Sequence, residues 1–339
     1  MNNDKLKIGL IGTGRIGRLH AEHLASRIRG AQLVALSDVN AESLAECAVQ
    51  CGVLDTTEDY HDLLSRDDID AIVICSPTDT HPTIIGECAA AGKDIFCEKP
   101  IGSNATEIDS TLAAVEAAGV KLMMGFNRRF DPNFARLQQG VQAGEIGEPH
   151  LVHIISRDPG PPPISYIKVS GGIFMDMTIH DFDMARFLTG SEIVEVFAAT
   201  AVRIDPAIGE AGDVDTALLT LTFENGAIAS IDNSRKAVYG YDQRAEVFGS
   251  KGALLADNNY PNTTTHMTTA SVQRELPLNF FMDRYVDSYL AEMNAFVECI
   301  NTDSTPPVTG KDAQAAFYAA LAAKKSVEEH RPVKISEVC

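Results

Sequence analysis

The first 125 residues alternate short apolar runs with segments whose apolar positions recur at helical spacing. The runs have the length of buried strands, and the segments between them place apolar residues three and four positions apart. This alternation predicts a parallel sheet covered by helices. The predicted strands are 7–11, 32–39, 70–76, 94–97 and 121–125, and the predicted helices are 16–27, 41–51, 82–91 and 106–118.

Beyond residue 125 the pattern changes to longer segments in which apolar and polar residues alternate. In 216–223, for example, Ala217, Leu219 and Leu221 alternate with Leu218, Thr220 and Thr222. A period of two predicts strands with unlike faces, and therefore a mostly antiparallel sheet. The predicted strands are 151–156, 194–204, 216–223, 227–234 and 244–248, and the predicted helices are 172–188, 284–300 and 313–329.

These patterns predict an α/β protein of two domains. Residues 1–125 form a doubly wound parallel sheet with its helices. Residues 126–339 form an α+β domain with a large, mostly antiparallel open sheet, which is the expected site of substrate binding and oligomerisation. The length of 339 residues fits two domains, and 45% hydrophobic with 22% charged residues is a globular composition.

Charge and cysteine content restrict the partners and the compartment. Acidic residues number 47 against 28 basic ones, and this excess argues against a nucleic-acid partner, which needs a basic surface. Seven scattered cysteines without a C-x-x-C pair indicate reduced thiols. No apolar run approaches the ~20 residues of a membrane span, and the N-terminus lacks a signal-peptide pattern. We therefore expect a cytoplasmic protein without a membrane partner.

One loop carries the glycine pattern of a dinucleotide-binding turn. The predicted strand 7–11 runs into Gly12-Thr13-Gly14-Arg15-Ile16-Gly17, and a predicted helix follows. The first glycine permits a tight turn, the second lets the main chain approach a pyrophosphate, and the third lets the helix pack against the strand. The pyrophosphate would rest on N–H groups at the helix start. In this context the pattern predicts a Rossmann domain that binds NAD.

An acidic residue ends the second predicted strand. Asp38 lies where a carboxylate accepts hydrogen bonds from the adenosine ribose hydroxyls. NADP carries a phosphate on one of these hydroxyls, so a carboxylate here favours NAD by charge repulsion. Arg15 is the cation of the glycine turn that could reach such a phosphate. The alternative role for Asp38 is to cap the helix that starts near Asn40.

Two further segments carry candidate catalytic groups. Lys99 follows the fourth predicted strand, and the carboxyl ends of parallel strands border the crevice in which such sheets bind ligands. Asp176 and His180 are four residues apart, so on a helix they share a face. An aspartate can hold an imidazole in one tautomer and raise its basicity. The alternatives are a surface lysine and a structural Asp–His pair.

The combination of these motifs resembles the Gfo/Idh/MocA family of nicotinamide-dependent sugar and polyol oxidoreductases. Four blocks carry the resemblance: the glycine turn, Glu98-Lys99-Pro100, residues 125–131 (GFNRRFD) and residues 171–183 (GGIFMDMTIHDFD). The last block, with residues 156–159 before it, is most similar to inositol 2-dehydrogenases. The resemblance implies NAD-dependent oxidation of a cyclic polyol, above all of myo-inositol. The alternatives are scyllo-inositol, another inositol isomer or a pyranose.

The resemblance also implies roles for individual residues. Lys99, Asp176 and His180 correspond to the catalytic set. The expected cofactor-binding residues are Gly12, Thr13, Gly14, Arg15, Ile16, Asp38, Ser76, Pro77, His81, Glu98, Lys99 and Asn127. The expected substrate-binding residues are Lys99, Arg128, Asp158, Asp176, His180 and Tyr239.

Three of these assignments have alternatives. His81, before Pro82, could be a helix-start residue, and Asp158 could order its Pro-rich loop. Tyr239 is favoured over its neighbour Tyr241 by spacing alone.

Metal binding and assembly complete the expectations. The histidines do not group with carboxylates at ligand spacing along the sequence, so we expect no metal site. Apolar residues on both sides of strand 194–204 call for a second cover on the sheet, and the resembling enzymes pair by sheet faces, so we expect a homotetramer. A dinucleotide-sensing regulator that has lost catalysis is the alternative to an enzyme. It would have no need of Lys99, Asp176 and His180 together.

Overall fold

The structure is a computed structural model that describes residues 5–339. The chain divides into two compact units. The first contains the described residues through Asn127 together with Asp287–Gln314, and the second contains Arg128–Val286 together with Ala315–Cys339. A segment close to the C-terminus therefore belongs with the N-terminal sheet, which a division at one point in the sequence does not show.

The helices and strands alternate in the first half of the chain and cluster by type in the second. The strands are β1 (Leu6–Ile11), β2 (Ala31–Ser37), β3 (Asp55–Thr57), β4 (Ala71–Ile74), β5 (Asp94–Glu98), β6 (Leu122–Gly125), β7 (Pro149–Arg157), β8 (Ile193–Ala201), β9 (Thr216–Phe223), β10 (Ile228–Ser234), β11 (Asp242–Gly249), β12 (Gly252–Ala256), β13 (Thr265–Met267), β14 (Val272–Arg274) and β15 (Val333–Lys334). The helices are α1 (Arg15–Ser26), α2 (Ala41–Cys51), α3 (His61–Leu64), α4 (His81–Ala90), α5 (Ala105–Ala118), α6 (Pro132–Gln142), α7 (Ile164–Ile167), α8 (Ile179–Thr189), α9 (Pro206–Glu210), α10 (Phe281–Arg284), α11 (Val286–Asn301) and α12 (Gly310–Glu329).

The first unit contains a six-stranded sheet in the order β3-β2-β1-β4-β5-β6, and every neighbouring pair is parallel. The apolar runs form its centre because strands covered on both faces must be apolar throughout; all four residues of β4 are buried. The predicted doubly wound sheet is confirmed. The short strand β3 was not predicted, since its sequence Asp-Thr-Thr carries no apolar signature.

The returning segment 287–314 completes this sheet. Thr309 forms an antiparallel bridge with Met123, and the Met124 N–H donates to the Val308 carbonyl at 3.0 Å. On α11, Phe296 packs edge-on against Phe96 with ring centroids 5.7 Å apart. The exposed side of β6 therefore has a partner, which removes a free sheet edge.

The second unit contains a seven-stranded sheet in the order β12-β11-β7-β10-β9-β8-β15. Only β7 and β10 run parallel, and the other pairs are antiparallel. The predicted α+β domain with a mostly antiparallel open sheet is confirmed. One face is buried and the other partly exposed, as the alternating burial of β9 and β10 shows.

The helix predicted at 172–188 has two parts. Residues Phe174–Thr178 form a π-helical turn, and α8 continues from Ile179 to Thr189. A π turn admits an extra residue into a helix and occurs often at functional sites. The apolar periodicity of the segment does not distinguish this turn from regular helix. No helix within residues 5–339 combines the length and apolar character of a membrane span.

Candidate active site

The three glycines of the nucleotide turn meet different surroundings. Gly12 has φ of +94°, and a Cβ there would lie 2.6 Å from the Ser76 nitrogen. A Cβ on Gly17 would lie 1.8 Å from the Gly12 carbonyl oxygen, whereas one on Gly14 would meet nothing within 4 Å. The turn and the close helix packing therefore require the first and third glycines. The second borders open space, as approach by a pyrophosphate requires.

The start of α1 is suited to an anion. Its N-cap is Gly14, which has no side chain to accept from the first N–H groups, and the first turn contains no acidic residue. The N–H groups of a helix start and the positive end of the helix dipole favour a phosphate at this position.

Asp38 lies beside the glycine turn. Its carboxylate accepts the Thr13 N–H at 2.6 Å and the Asn40 N–H at 2.8 Å. The N-cap of α2 is Asn40, whose side chain accepts from Glu42 and Ser43. The alternative role of Asp38 as the direct cap of that helix is therefore filled by another residue.

A second arginine, which the sequence analysis did not consider, lies close to Asp38's partner Thr13. Arg18 donates to the Thr13 carbonyl at 3.1 Å and to the Ser43 hydroxyl at 3.2 Å. It also pairs with Glu46 at 2.6 Å. One turn of α1 separates it from Arg15, so only the folded helix places it near this strand end.

His81 ties together two loops at the carboxyl edge of the first sheet. It begins α4, and its ring nitrogens lie 2.7 Å from the Pro100 carbonyl oxygen and 2.9 Å from that of Ser76. The alternative role as a helix-start residue thus matches its position. Through these bonds it links the Ser76–Pro77 segment to the segment after Lys99.

Asn127 follows β6 at the same edge. Its side chain is 3% exposed, its carbonyl accepts from the Ser288 hydroxyl, and its buried amide nitrogen has no hydrogen-bond partner within residues 5–339. A buried amide donor without a partner costs stability unless a ligand meets it. Lys99 follows β5 and is half-buried.

In the second unit, Asp176 is held by two side chains that the sequence did not predict. Tyr166 donates to one carboxylate oxygen at 2.9 Å, and the Arg235 guanidinium donates to the other at 3.0 Å. Arg235 is fully buried and also reaches Asp213 at 3.3 Å. Gly172, with φ of +83°, lets the chain pass Asp213, since a Cβ there would lie 2.9 Å from its carboxylate. The π turn is thus anchored through buried charges.

A second buried network holds α8, which carries His180. Asp181, the next residue, is fully buried and accepts from Arg128 at 2.6 Å and from the Asn233 amide at 2.8 Å. Burial raises the pKa of the Asp181 carboxyl, and the charge of Arg128 opposes that rise. Arg128 is itself 5% exposed, so this ion pair between Arg128 and Asp181 is shielded from water. His180 is half-buried.

Asp158 follows β7, where the parallel pairing with β10 brings it level with Arg235. Its N–H donates to the Ser234 carbonyl, and its own carbonyl accepts from Ala237. Burial, together with the negative charge of Asp176, raises the pKa of the Asp158 carboxyl to about 6. A carboxyl that titrates near neutrality beside a second one is typical of functional sites.

The two candidate tyrosines occupy different surroundings. Tyr239 donates to Asp242 at 2.6 Å and accepts from Arg157 at 2.9 Å, at the rim of a cavity of about 300 Å³. Tyr241 is buried, with its ring edge-on to Tyr285 and its hydroxyl 3.5 Å from Arg128.

Comparison with known proteins decides the family. Residues 6–126 match the model described as oxidoreductase family, NAD-binding Rossmann fold, and residues 134–255 match the GFO/IDH/MocA C-terminal domain. The chain belongs to the Gfo/Idh/MocA oxidoreductase family. The predicted family, the oxidoreductase class and NAD as cofactor are confirmed.

Three relatives within the Gfo/Idh/MocA family match almost end to end. A myo-inositol 2-dehydrogenase of Thermotoga maritima is 49% identical, with 98% of this chain and 99% of that protein covered. An inositol 2-dehydrogenase of Rhizobium meliloti is 46% identical over 98% and 99%. The crystal structure of a scyllo-inositol dehydrogenase from Lactobacillus casei with bound NAD(H) and scyllo-inositol is 33% identical. The match covers 98% of this chain and 100% of that chain, with a TM-score of 0.92.

The first unit's residues fit the cofactor that the family implies. Within the part of the chain that the structure describes, the open side of Gly14, the glycine N-cap of α1 and the Asn127 amide, which has no hydrogen-bond partner, offer donors and space for a dinucleotide. Sequence reasoning missed Arg18, Tyr166, Asp213 and Arg235. Their contacts depend on folded helices and strand register, which no local pattern encodes.

Proposed function

We propose that the protein is an NAD-dependent inositol 2-dehydrogenase that oxidises myo-inositol to its 2-ketone, scyllo-inosose. Residues 1–125 hold the cofactor, and residues 126–339 hold the substrate. The observation that carries the proposal is the pair Asp158 and Asp176: buried Arg235 holds Asp176, and the charges of both residues act on the Asp158 carboxyl. A ring that presents a hydroxyl on every carbon needs carboxylate acceptors held in fixed positions. The relatives that match end to end are named for inositol.

Different residues of the chain accept the proton of the reacting hydroxyl and stabilise the negative charge that develops on its oxygen. His180 takes the proton of the reacting hydroxyl as general base, and Asp176 orients His180 and accepts from a neighbouring hydroxyl. Lys99 donates to the reacting oxygen and stabilises the negative charge that develops there. NAD, when bound, supplies the acceptor for the hydride that leaves the carbinol carbon.

The proposed cofactor contacts lie at the glycine turn and the carboxyl edge of the first sheet. The turn residues hold the pyrophosphate, Asp38 holds the adenosine ribose, and the edge residues hold the nicotinamide half. The edge residues are Ser76, Pro77, His81, Glu98, Lys99 and Asn127. Asp158 and Tyr239 are assigned to substrate hydroxyls, and Arg128 supports the same site by fixing Asp181.

scyllo-Inositol is the second candidate substrate, because a solved relative binds it. The identity of 33% with that relative, against 49% with the Thermotoga maritima enzyme, favours myo-inositol. A non-catalytic dinucleotide sensor is disfavoured by the buried arginine network that holds Asp176.

A panel of inositol isomers and pyranoses with NAD tests the proposal. We expect the highest kcat/KM with myo-inositol, and a rate that rises with pH as His180 loses its proton. No NADH formation across the panel would support the sensor instead. A flat rate between pH 6 and about 10 would remove His180 as the base.

We also propose that the protein forms a homotetramer and that it is cytoplasmic. Leu151, Ile228 and Phe248 are neighbours across three strands on the exposed face of the second sheet, each about two-fifths exposed. An apolar patch on a sheet face is typical of a self-association surface. Sedimentation at micromolar concentration should give a species of about four chains. A 36.5 kDa species would contradict it.

A further inference from the structure

Three side chains outside the proposed catalytic set meet in the interior of the first unit. His20 lies on α1, Glu98 ends β5, and Glu292 lies on α11. One ligand atom from each lies within 4.8 Å of the others. His20 and Glu292 are fully buried. These elements are far apart in sequence, so the cluster exists only in the folded unit.

Two members of the cluster are already fixed. His20 Nε2 lies 2.8 Å from a Glu98 oxygen, and its ring packs edge-on against Phe96 and Tyr289 at centroid distances of 5.2 and 5.7 Å. On the other side, a Cβ on Gly125 would lie 3.0 Å from the Glu98 carboxyl carbon. These contacts fix the Glu98 carboxyl between the His20 ring and the main chain at Gly125.

Glu292 is the member without an evident partner. Neither of its carboxyl oxygens has a hydrogen-bond partner within residues 5–339. In residues 5–339 the titratable groups beside it are Glu98, His20 and the Cys75 thiol, and this set contains no lysine or arginine. Burial, together with the charge of Glu98, raises the pKa of the Glu292 carboxyl well above its usual range. When two carboxyls share a buried site, one of them keeps its proton.

The helix that carries Glu292 contacts both strand ends that precede proposed active-site residues. Ser288, one turn earlier on the same face, donates to the carbonyl of Asn127. Glu292 approaches Glu98, which immediately precedes Lys99. Within the described residues the two carboxyls are not hydrogen-bonded directly, and a ligand oxygen of each lies within 4.8 Å of the other, a span that one water can bridge.

We propose that Glu292 is a positioning residue: its protonated carboxyl donates a hydrogen bond to one water, that water donates to Glu98, and this chain holds the end of the strand that precedes Lys99. The role in catalysis rests on the proposed function. The protonation itself does not, since it follows from the contacts of the first unit alone.

The test compares Glu292→Gln, which keeps a donor of similar shape, with Glu292→Leu, which removes it. Asp287→Asn, an exposed carboxylate on the same helix, is the matched control. We expect the Gln variant and the control to keep NADH affinity and kcat within about threefold of wild type. We expect the Leu variant to lose kcat by on the order of tenfold or more, with a smaller change in the KM for inositol.

Infrared spectra of the NAD-bound protein provide a readout that needs no substrate and no functional Leu variant. A protonated carboxyl has a carbonyl band apart from all carboxylate bands. At pH 8, where Asp158 is ionised, the wild type and the control should show the Glu292 component of that band, and the difference spectrum of Glu292→Gln against wild type should show its loss.

Three results would overturn the proposal: no such band in the wild type, full activity of a folded Leu variant, or one equivalent of divalent metal bound through Glu292. Failure of the wild type to oxidise any polyol would count against the proposed function only, because the infrared result stands by itself.

Discussion

The nucleotide turn of the first unit (Gly12–Gly17) and the arginine–carboxylate cluster of the second (Arg235 with Asp176 and Asp213) are formed by different parts of the chain: main chain in one, side chains in the other. The turn consists of main chain, and its key positions are glycines defined by a backbone angle and by missing side-chain volume. The cluster consists of charged side chains, with Arg235 buried between Asp176 and Asp213. In a site formed by main chain, only a few positions are sensitive to substitution, and each of these accepts few other residues. A site made of paired charges depends on every partner that balances them.

The largest expected effect follows from placing the chemistry in side chains. Lys99→Ala, Asp176→Ala and His180→Ala should each lower kcat by about 10²–10⁴-fold, the usual contribution of a positioned acid–base group. NADH affinity, measured by fluorescence titration, should stay unchanged in the Asp176 and His180 variants because the main-chain turn is intact. Two of the three variants folded and near wild-type kcat would contradict the mechanism.

Removing the buried cation should affect the second unit next most strongly. Arg235→Met removes the cation that pairs with both Asp176 and Asp213, and breaking a buried ion pair from one side costs about 3–5 kcal/mol. Chemical denaturation should show this loss in the free energy of unfolding. The exposed Arg203→Met is the control and should change stability by about 0.5 kcal/mol or less. Equal stability of the two variants would show that the cluster is not charge-balanced as described.

The pH dependence of stability tests the surroundings of Asp176 through its neighbouring carboxyl, Asp158. Asp158 holds its proton more tightly in the folded state, with a pKa of about 6 against 3.8. Its ionisation therefore costs stability as the pH rises through 6. Asp158→Asn should gain up to about 3 kcal/mol relative to wild type at pH 8, and little at pH 4. Denaturation curves at the two pH values check this, and a gain that is constant with pH would exclude a raised pKa.

The glycine turn permits a comparison between two residues of one motif. Gly12→Ala should destabilise the protein by about 2 kcal/mol, because an alanine at φ of +94° is strained and its Cβ meets main chain. Gly14→Ala should leave the melting temperature unchanged and weaken NADH binding by on the order of tenfold, or ~1.4 kcal/mol. Thermal melts with and without NADH separate the two effects. A loss of stability in Gly14→Ala, together with a loss of NADH binding alone in Gly12→Ala, would contradict the description of the turn.

Cofactor selectivity is the smallest expected effect. Asp38→Ser should lower the ratio of kcat/KM for NAD over NADP by about tenfold, since like charges repel by about 1 kcal/mol in water and more when partly buried. Adding Arg18→Met should remove part of that gain for NADP, because Arg18 lies beside Thr13, the partner of Asp38. Wild-type kcat/KM with NADP equal to that with NAD would overturn the role of Asp38.

The same contrast explains what could be predicted from sequence. The strands and helices of the first sheet follow from local apolar periodicity, and the glycine turn from backbone demands that only glycine meets. The position of Arg235 follows from the parallel register of β7 and β10, which aligns Ser234 with Arg157. No local pattern specifies which strands become neighbours, so its pairing with Asp176 could not be inferred.

His20 illustrates the same limit at one residue. Along the sequence its only nearby carboxylate is that of Glu22, which does not indicate a cluster of ligating groups at His20. In the fold, His20 lies beside Glu98 and Glu292, which are 78 and 272 residues further along the chain. A search for ligand spacing within one segment cannot find clusters assembled from three elements.

The return of residues 287–314 to the first unit affects how the protein is made. On the ribosome the N-terminal strands emerge first, and domains usually fold as they emerge. Here α11 and the partner of the β6 edge are synthesised only after the whole core of the second sheet. Until then the nascent first unit lacks the contact of Phe296 with Phe96 and has one strand edge open. Premature termination near residue 286 would release a chain prone to aggregate through that edge.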